Sequence, residues 1–293
     1  MSEASDNRTL AGPPPGLYCP GCGRWLTEGE EADAGHRPIK LSPRLWVYTN
    51  YDCNLQCDYC LVSSSPFAER RAMPLPRFRA FLDEAEELGV RELFLTGGEP
   101  FLLPEIFEML ALALPRFRTC VLTNGMVLRG KRLEALAALP RNNLLLQVSL
   151  DDVEPGVHDA HRGAGAWART VEGIALLQES GFTVRVATTV TPELERRIDE
   201  VRRFVSEELR IPPEHHLVRP LLKRGFSEEG LTVGKENLQP ELTIDVQGIY
   251  WHPAGTGADL RVARDQGTLR LALEEVARLL ASAGASRTLQ PFR

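Results

Sequence analysis

Cys53, Cys57 and Cys60 sit in one short run, directly after an apolar, strand-like segment. The C-x3-C-x2-C spacing is too tight for a disulfide framework. It supplies only three thiolates, where a tetrahedral structural zinc site wants four ligands. Three ligands leave one metal position open. An iron–sulfur cluster held by three cysteines keeps one iron free for a substrate or cofactor, much as a catalytic zinc keeps a position for water. On the cysteines alone, a structural zinc knuckle completed by a distant histidine is the competing reading.

Two downstream segments weigh against that knuckle. Leu93-Phe94-Leu95-Thr96-Gly97-Gly98-Glu99-Pro100 is an apolar strand emptying into a double-glycine turn with a carboxylate, and Leu144–Asp151 is a second strand ending in small polar residues. Taken with them, the cysteine loop resembles the cluster-binding motif of the radical S-adenosylmethionine (radical SAM) enzymes, and Tyr59 falls where that family usually carries an aromatic. The resemblance implies that Cys53, Cys57 and Cys60 hold a [4Fe–4S] cluster whose fourth iron chelates the amino and carboxylate groups of S-adenosylmethionine. It implies that Gly97, Gly98 and Glu99 address the methionine amino group, and that Ser149 and Asp151 address the carboxylate or ribose. One electron would then give methionine and a 5′-deoxyadenosyl radical that takes hydrogen from a substrate. The cofactor carries that chemistry, and the protein orients the reactants. A flavodoxin or ferredoxin is the implied electron donor.

Several residues have two readings. Asn124, in Thr123-Asn124-Gly125, either shapes a turn, to which Asn-Gly is suited, or meets the cofactor. Arg162 resembles a family position that reaches cofactor or substrate; with His158 and His161 it is expected on a loop after the fourth strand. Cys120 reads as a small core residue. Arg219, Lys223 and Arg224 follow the sixth strand and could meet an anion. Tyr18-Cys19-Pro20-Gly21-Cys22-Gly23 has the form of a metal knuckle, but Cys19 and Cys22 make only half a site, for which a structural zinc is expected and His36 is a candidate third ligand.

These residues need a scaffold, and the chain alternates short β-rich runs with amphipathic helices from residue 45. Candidate strands are Leu45–Thr49, Glu92–Thr96, Arg118–Thr123, Leu144–Leu150, Thr183–Thr189 and His215–Arg219, with a helix expected to start at Thr191-Pro192-Glu193. Six β/α units predict an α/β fold with a parallel sheet, and the family resemblance makes it a partial (β/α)6 TIM-like barrel. Chemistry then belongs at the carboxyl ends of the strands. The cysteines, the Gly-Gly turn, Asn124 and Ser149/Asp151 each follow a different strand, so they converge on one rim. The expected division is an irregular extension over 1–44, the barrel over 45–220, and a β segment (Leu242–Trp251) plus helix (Leu269–Leu280) over 221–293 capping the open side.

A chain of 293 residues suits one such barrel, and a net charge of −6 with pI near 5.7 argues against nucleic acid or an anionic membrane as partner. Met1–Leu10 lacks the apolar core of a signal peptide, and the apolar stretch Phe101–Leu114 is broken by Pro104, Glu105 and Glu108, so a cytoplasmic protein is expected. The expected substrate is a small molecule or a peptide, with peptide maturation as one alternative and a non-catalytic iron–sulfur or zinc protein as the other. With no cysteine after 120, the chain lacks ligands for a multi-cysteine C-terminal auxiliary cluster.

Overall fold

A computed structural model describes residues 16–19, 24–26, 31, 39–41, 43–264 and 267–282. Strands β1 (Gly16–Cys19), β2 (Arg24–Leu26) and β3 (Ile39–Leu41) form a small antiparallel sheet in the order β2-β1-β3. The extension expected to be irregular therefore carries a sheet. Its strands are three or four residues long, too short to stand out between prolines and glycines. Cys19 ends β1, whereas Cys22 and His36 lie outside the described residues.

The main body runs through β4 (Arg44–Tyr48), α1 (Leu75–Glu87), β5 (Glu92–Thr96), α2 (Ile106–Ala113), β6 (Arg118–Thr123), α3 (Lys131–Ala137) and β7 (Leu144–Ser149). It continues with α4 (Pro155–Arg162), α5 (Ala166–Glu179), β8 (Thr183–Val190), α6 (Ile198–Arg203) and β9 (His216–Pro220). β4 to β9 pair in parallel and in sequence order, the arrangement of a partial (β/α)6 barrel. Side-chain alternation explains why. Leu45, Val47, Leu93, Leu95, Val121, Leu146, Val148, Val184 and Val186 pack in the core shared with the helices, while Trp46, Phe94, Cys120, Leu122 and Leu145 form a separate cluster on the inner face. Strands apolar on both faces need cover on both, which a curved parallel sheet under a helical layer provides.

β10 (Thr243–Ile244) pairs in parallel with β4, and β11 (Gly248–Tyr250) and β12 (Arg261–Arg264) follow antiparallel, giving nine strands in the order β12-β11-β10-β4-β5-β6-β7-β8-β9. The C-terminal part was expected to cap the barrel's open side, and its strands extend the sheet there, satisfying the backbone groups that β4 would leave unpaired at its outer edge. α7 (Leu269–Ser282) lies beside α1, whose Glu84 carboxylate accepts hydrogen bonds from the N–H groups of Leu269 and Arg270, 2.9 Å each.

Two local expectations also change. His158, His161 and Arg162 belong to helix α4, not a loop; Pro155 starts it and Gly163, at φ +120°, stops it. The helix expected from Thr191 begins at Ile198, because residues 192–197 form successive turns closed by Leu194 and Glu195 N–H groups on the Thr191 carbonyl.

Candidate active site at the carboxyl rim of the barrel

The cysteine loop leaves β4 through Thr49-Asn50-Tyr51-Asp52, and the Gly-Gly turn leaving β5 packs directly on that exit. Gly98 N–H donates to the Asn50 carbonyl (2.9 Å), Glu99 N–H to the Asp52 carbonyl (2.8 Å), and the Asn50 side-chain amide to the Asp52 and Glu99 carbonyls (3.0 and 3.1 Å). A Cβ at Gly97 would stand 2.3 Å from the Asn50 carbonyl oxygen, and one at Gly98 2.0 Å from that of Asp52. The glycines were expected to admit a bound cofactor. What they first admit is the backbone that carries the cysteines.

Within the loop, Leu55 N–H donates to the Cys53 Sγ (3.4 Å) and Ser64 N–H to the Cys60 Sγ (3.3 Å). Cys53 and Cys57 pack against Leu55, Met126 and Ala166, and Cys60 is braced from the C-terminal part by Phe226 N–H on its carbonyl (3.0 Å). Burial pushes the Cys53 thiol up to about 12 and the Cys57 thiol to about 11; charge on the neighbouring cysteines adds to both, whereas Arg162 opposes it at Cys57. Such thiols release their protons to a metal rather than to water. Among the described residues, no three His, Cys, Asp or Glu side chains converge as ligands of one ion. A four-iron cluster does not require that, since it spreads its thiolates over the corners of a cube. Amide donors to sulfur and an apolar wall suit a cluster, so the three cysteines fit one.

Around the loop, the strand-end polar residues divide into two groups. Glu99 is fully buried: its carboxylate accepts from Phe101 N–H (3.2 Å), Thr123 Oγ1 (2.7 Å) and Asn124 N–H (2.8 Å). Burial raises it to about 7 against those three donors. The carboxylate expected to meet the cofactor thus joins the ends of β5 and β6. Asn124 is buried as well, its side-chain amide donating to Asn54 Oδ1 (2.8 Å) and its Oδ1 accepting from Met126 N–H (3.0 Å). It both shapes the turn and holds the cysteine loop.

Asp151 is buried beneath the rim, where Arg162 Nε, the Tyr59 hydroxyl and Thr189 N–H (2.9 Å) donate to it. Burial alone would raise this carboxyl, but the Arg162 guanidinium outweighs it and holds the group at about 2. Arg162 also lies over the Tyr59 ring, 5.5 Å from its centroid. His158, which as a loop residue would be solvated, is fully buried. Its Nδ1 accepts from Asp151 N–H (3.3 Å), and burial lowers it to about 4. Ser149, half-buried at the end of β7, has a hydroxyl that makes no hydrogen bond among the described residues, and Gly97 and Gly98 are also partly open. The Ser149 hydroxyl and the Gly-Gly turn are therefore open at the rim, whereas the polar groups of Glu99, Asn124, Asp151 and Tyr59 are engaged within the protein. Sequence reasoning missed Asn50, Asn54 and Thr189. The only signal for them was their place at or just beyond a strand's end.

A model of the radical SAM superfamily matches residues 47–205, more than half of the chain. The subtilosin biosynthesis protein AlbA of Bacillus subtilis (strain 168), named for an antilisterial bacteriocin, is 37% identical over 140 residues, 47% of this chain and 31% of that protein. The AdoMet-dependent heme synthase of Methanosarcina barkeri (strain Fusaro / DSM 804) is 32% identical over 164 residues, 55% of this chain and 45% of that one. The chain thus matches less than half the length of these curated relatives. The structure of native anSMEcpe with bound AdoMet and Cp18Cys peptide superposes with a TM-score of 0.62 at 15% identity, covering 80% of this chain and 81% of that one.

Proposed function

Because the chain belongs to the radical SAM superfamily, we propose that it is a peptide-modifying enzyme that holds a [4Fe–4S] cluster on Cys53, Cys57 and Cys60 and cleaves S-adenosylmethionine reductively. When bound, the cluster and cofactor supply one electron and a 5′-deoxyadenosyl radical that removes a hydrogen atom from the substrate. The rest is the protein's. The backbone of Gly97 and Gly98 receives the methionine amino group, Ser149 donates to the carboxylate or ribose, and Arg162, fixed by Asp151 and Tyr59, presents its remaining N–H groups to the same end. The buried floor of Glu99, Asn124 and Asp151 excludes water beneath the reacting atoms.

The observation that carries this reading is the cysteine loop, where the Cys53 and Cys60 thiols receive amide hydrogen bonds at a rim on which four other strand ends converge. The peptide as substrate class is supported by the similarity to AlbA; a small molecule is the second reading, favoured by the similarity to the heme synthase. The electron is assigned to a small flavodoxin- or ferredoxin-type donor. Among the described residues no helix is long and apolar enough to cross a membrane, and with the net charge of −6 we propose a cytoplasmic enzyme without nucleic-acid partners. Cys19 and Cys22 are proposed as ligands of a structural zinc; the Cys19→Ala, Cys22→Ala variant should then lose zinc while iron is retained.

The test is anaerobic incubation of the reduced protein with deuterated cell extract. Deuterium entering 5′-deoxyadenosine from a peptide fraction supports the proposal, from a small metabolite it favours the second reading, and 5′-deoxyadenosine that never forms refutes both.

A further inference from the structure

Of the three basic residues expected after the sixth barrel strand, Arg219 lies within β9, and Lys223 and Arg224 follow it. Lys223 is exposed to solvent. Arg224 donates to the Asp259 carboxylate and, at 2.7 Å, to the Val233 carbonyl. Arg219 turns the other way. Its register partner on β8 is Thr189, whose hydroxyl accepts from Arg219 Nε at 3.3 Å, and Thr189 lies on the barrel's inner face two positions along from Ala187 and four from Arg185, which bonds its register partner Gln147 on the adjacent strand β7. The Arg219 guanidinium is thereby held at the mouth of the lumen, within electrostatic reach of Tyr48 on the opposite side of the barrel and of Tyr59, Asp151 and Arg162.

No carboxylate among the described residues lies within ion-pair distance of Arg219. The acid that acts on it among the described residues, Asp151, has both oxygens engaged, Oδ1 by Thr189 N–H and Oδ2 by Tyr59 and Arg162. Arg162 and Asp151 cancel as charges, so among the described residues Arg219 is left a cation without an ion-pair partner. Burial and the like charge of Arg162 both work against it. A half-buried guanidinium with free N–H groups lowers its free energy by taking an anion, and its planar fork suits a carboxylate.

We propose that Arg219 binds a carboxylate of the substrate, an acidic side chain or the C-terminus of a peptide, and so fixes which C–H bond faces the reacting centre. This rests on the peptide reading above and deepens it. Asn-, Gln- or amide-blocked versions of the same peptide would leave the guanidinium desolvated and unpaired, so discrimination between acid and amide should be steep.

The experiment uses cluster-loaded protein saturated with S-adenosylmethionine and left unreduced. Three probes are titrated by ligand-observed NMR: N-acetyl-glutamyl-amide carries a side-chain carboxylate, N-acetyl-glutamine a terminal one, and N-acetyl-glutaminyl-amide neither. One acidic probe should bind about tenfold tighter than the neutral one, the worth of a charge-assisted hydrogen bond, and which of the two does so identifies the source of the carboxylate. Arg219→Gln should abolish the preference, and Arg219→Lys, which keeps the charge without the fork, should retain only part of it. Equal binding of all three probes by the wild-type protein overturns the proposal. So does a preference that survives in Arg219→Gln, or a loss of S-adenosylmethionine affinity in Arg219→Lys, which would give the guanidinium to the cofactor's carboxylate. Binding is read without reduction. Carboxylate preference in a protein that releases no 5′-deoxyadenosine on reduction would therefore sustain this proposal and refute the functional one.

Discussion

Replacing Gly98 by alanine tests how the cysteine loop is positioned. The new Cβ would stand 2.0 Å from the Asp52 carbonyl oxygen, 2.6 Å from its carbon and 2.9 Å from the Tyr51 carbonyl oxygen. These are backbone atoms, so no side-chain rotation relieves the contact, and either the turn or the loop exit must move. Overpacking of this kind costs about 1–3 kcal/mol. Movement also stretches the bonds from Gly98 N–H to Asn50 and from Glu99 N–H to Asp52, at about 1 kcal/mol each. The expected loss is therefore about 3–5 kcal/mol. Asp52 directly precedes Cys53, so iron uptake should fall with stability. The assay is urea unfolding of the metal-free protein beside iron content after anaerobic reconstitution. Gly156→Ala serves as the control, because a Cβ there meets nothing within 4 Å. A Gly98→Ala protein within about 1 kcal/mol of wild type and carrying full iron would refute the packing argument, and would return Gly98 to a role in admitting the cofactor alone.

Two further predictions concern the buried floor. Arg162→Met leaves the Asp151 carboxylate buried without its cation, for an expected loss of about 3–5 kcal/mol, and adding Asp151→Asn should restore part of it; a double variant no more stable than the single one would contradict the pairing. Glu99 is raised to about 7 in the folded protein, against an ordinary value of 4.5, so folding favours its protonated form. That contribution is complete below about pH 4.5 and disappears as pH rises through about 7, a change of about 3 kcal/mol. Urea midpoints of the metal-free protein should accordingly fall between about pH 5 and 8, and Glu99→Gln should flatten the profile; an equally steep profile in that variant would assign the dependence to other groups.

The barrel was legible because its strands are apolar on both faces. Glu92–Thr96 and Arg118–Thr123 have the expected limits, β7 and β8 differ by one residue at one end, and β4 and β9 are shifted by one residue. The cysteine loop was legible because the spacing of metal ligands is written in the chain itself. Side-chain direction was not. The order Gly97-Gly98-Glu99 does not tell whether the carboxylate turns to the rim or into the protein, a choice made by the N–H groups of Phe101 and Asn124 and the Thr123 hydroxyl waiting inside. Nor could the sequence show that the Leu242–Trp251 segment would pair with β4, because strand pairing across nearly two hundred residues leaves no local periodicity. Arg219 and Arg224 look alike in the chain, and what distinguishes them is tertiary: Thr189 beside the one, the Val233 carbonyl and Asp259 beside the other.

Three thiols at one barrel rim are proposed to hold the cluster that cleaves S-adenosylmethionine. The most direct measurement is 5′-deoxyadenosine formation by anaerobically reconstituted, dithionite-reduced protein, compared with the Cys53→Ala, Cys57→Ala and Cys60→Ala variants and with Cys120→Ala, a cysteine of the inner core. About four irons per chain and 5′-deoxyadenosine release are expected in the wild type and in Cys120→Ala, and loss of both in each of the other three. Full iron and undiminished cleavage after removal of any one of Cys53, Cys57 or Cys60 would contradict it.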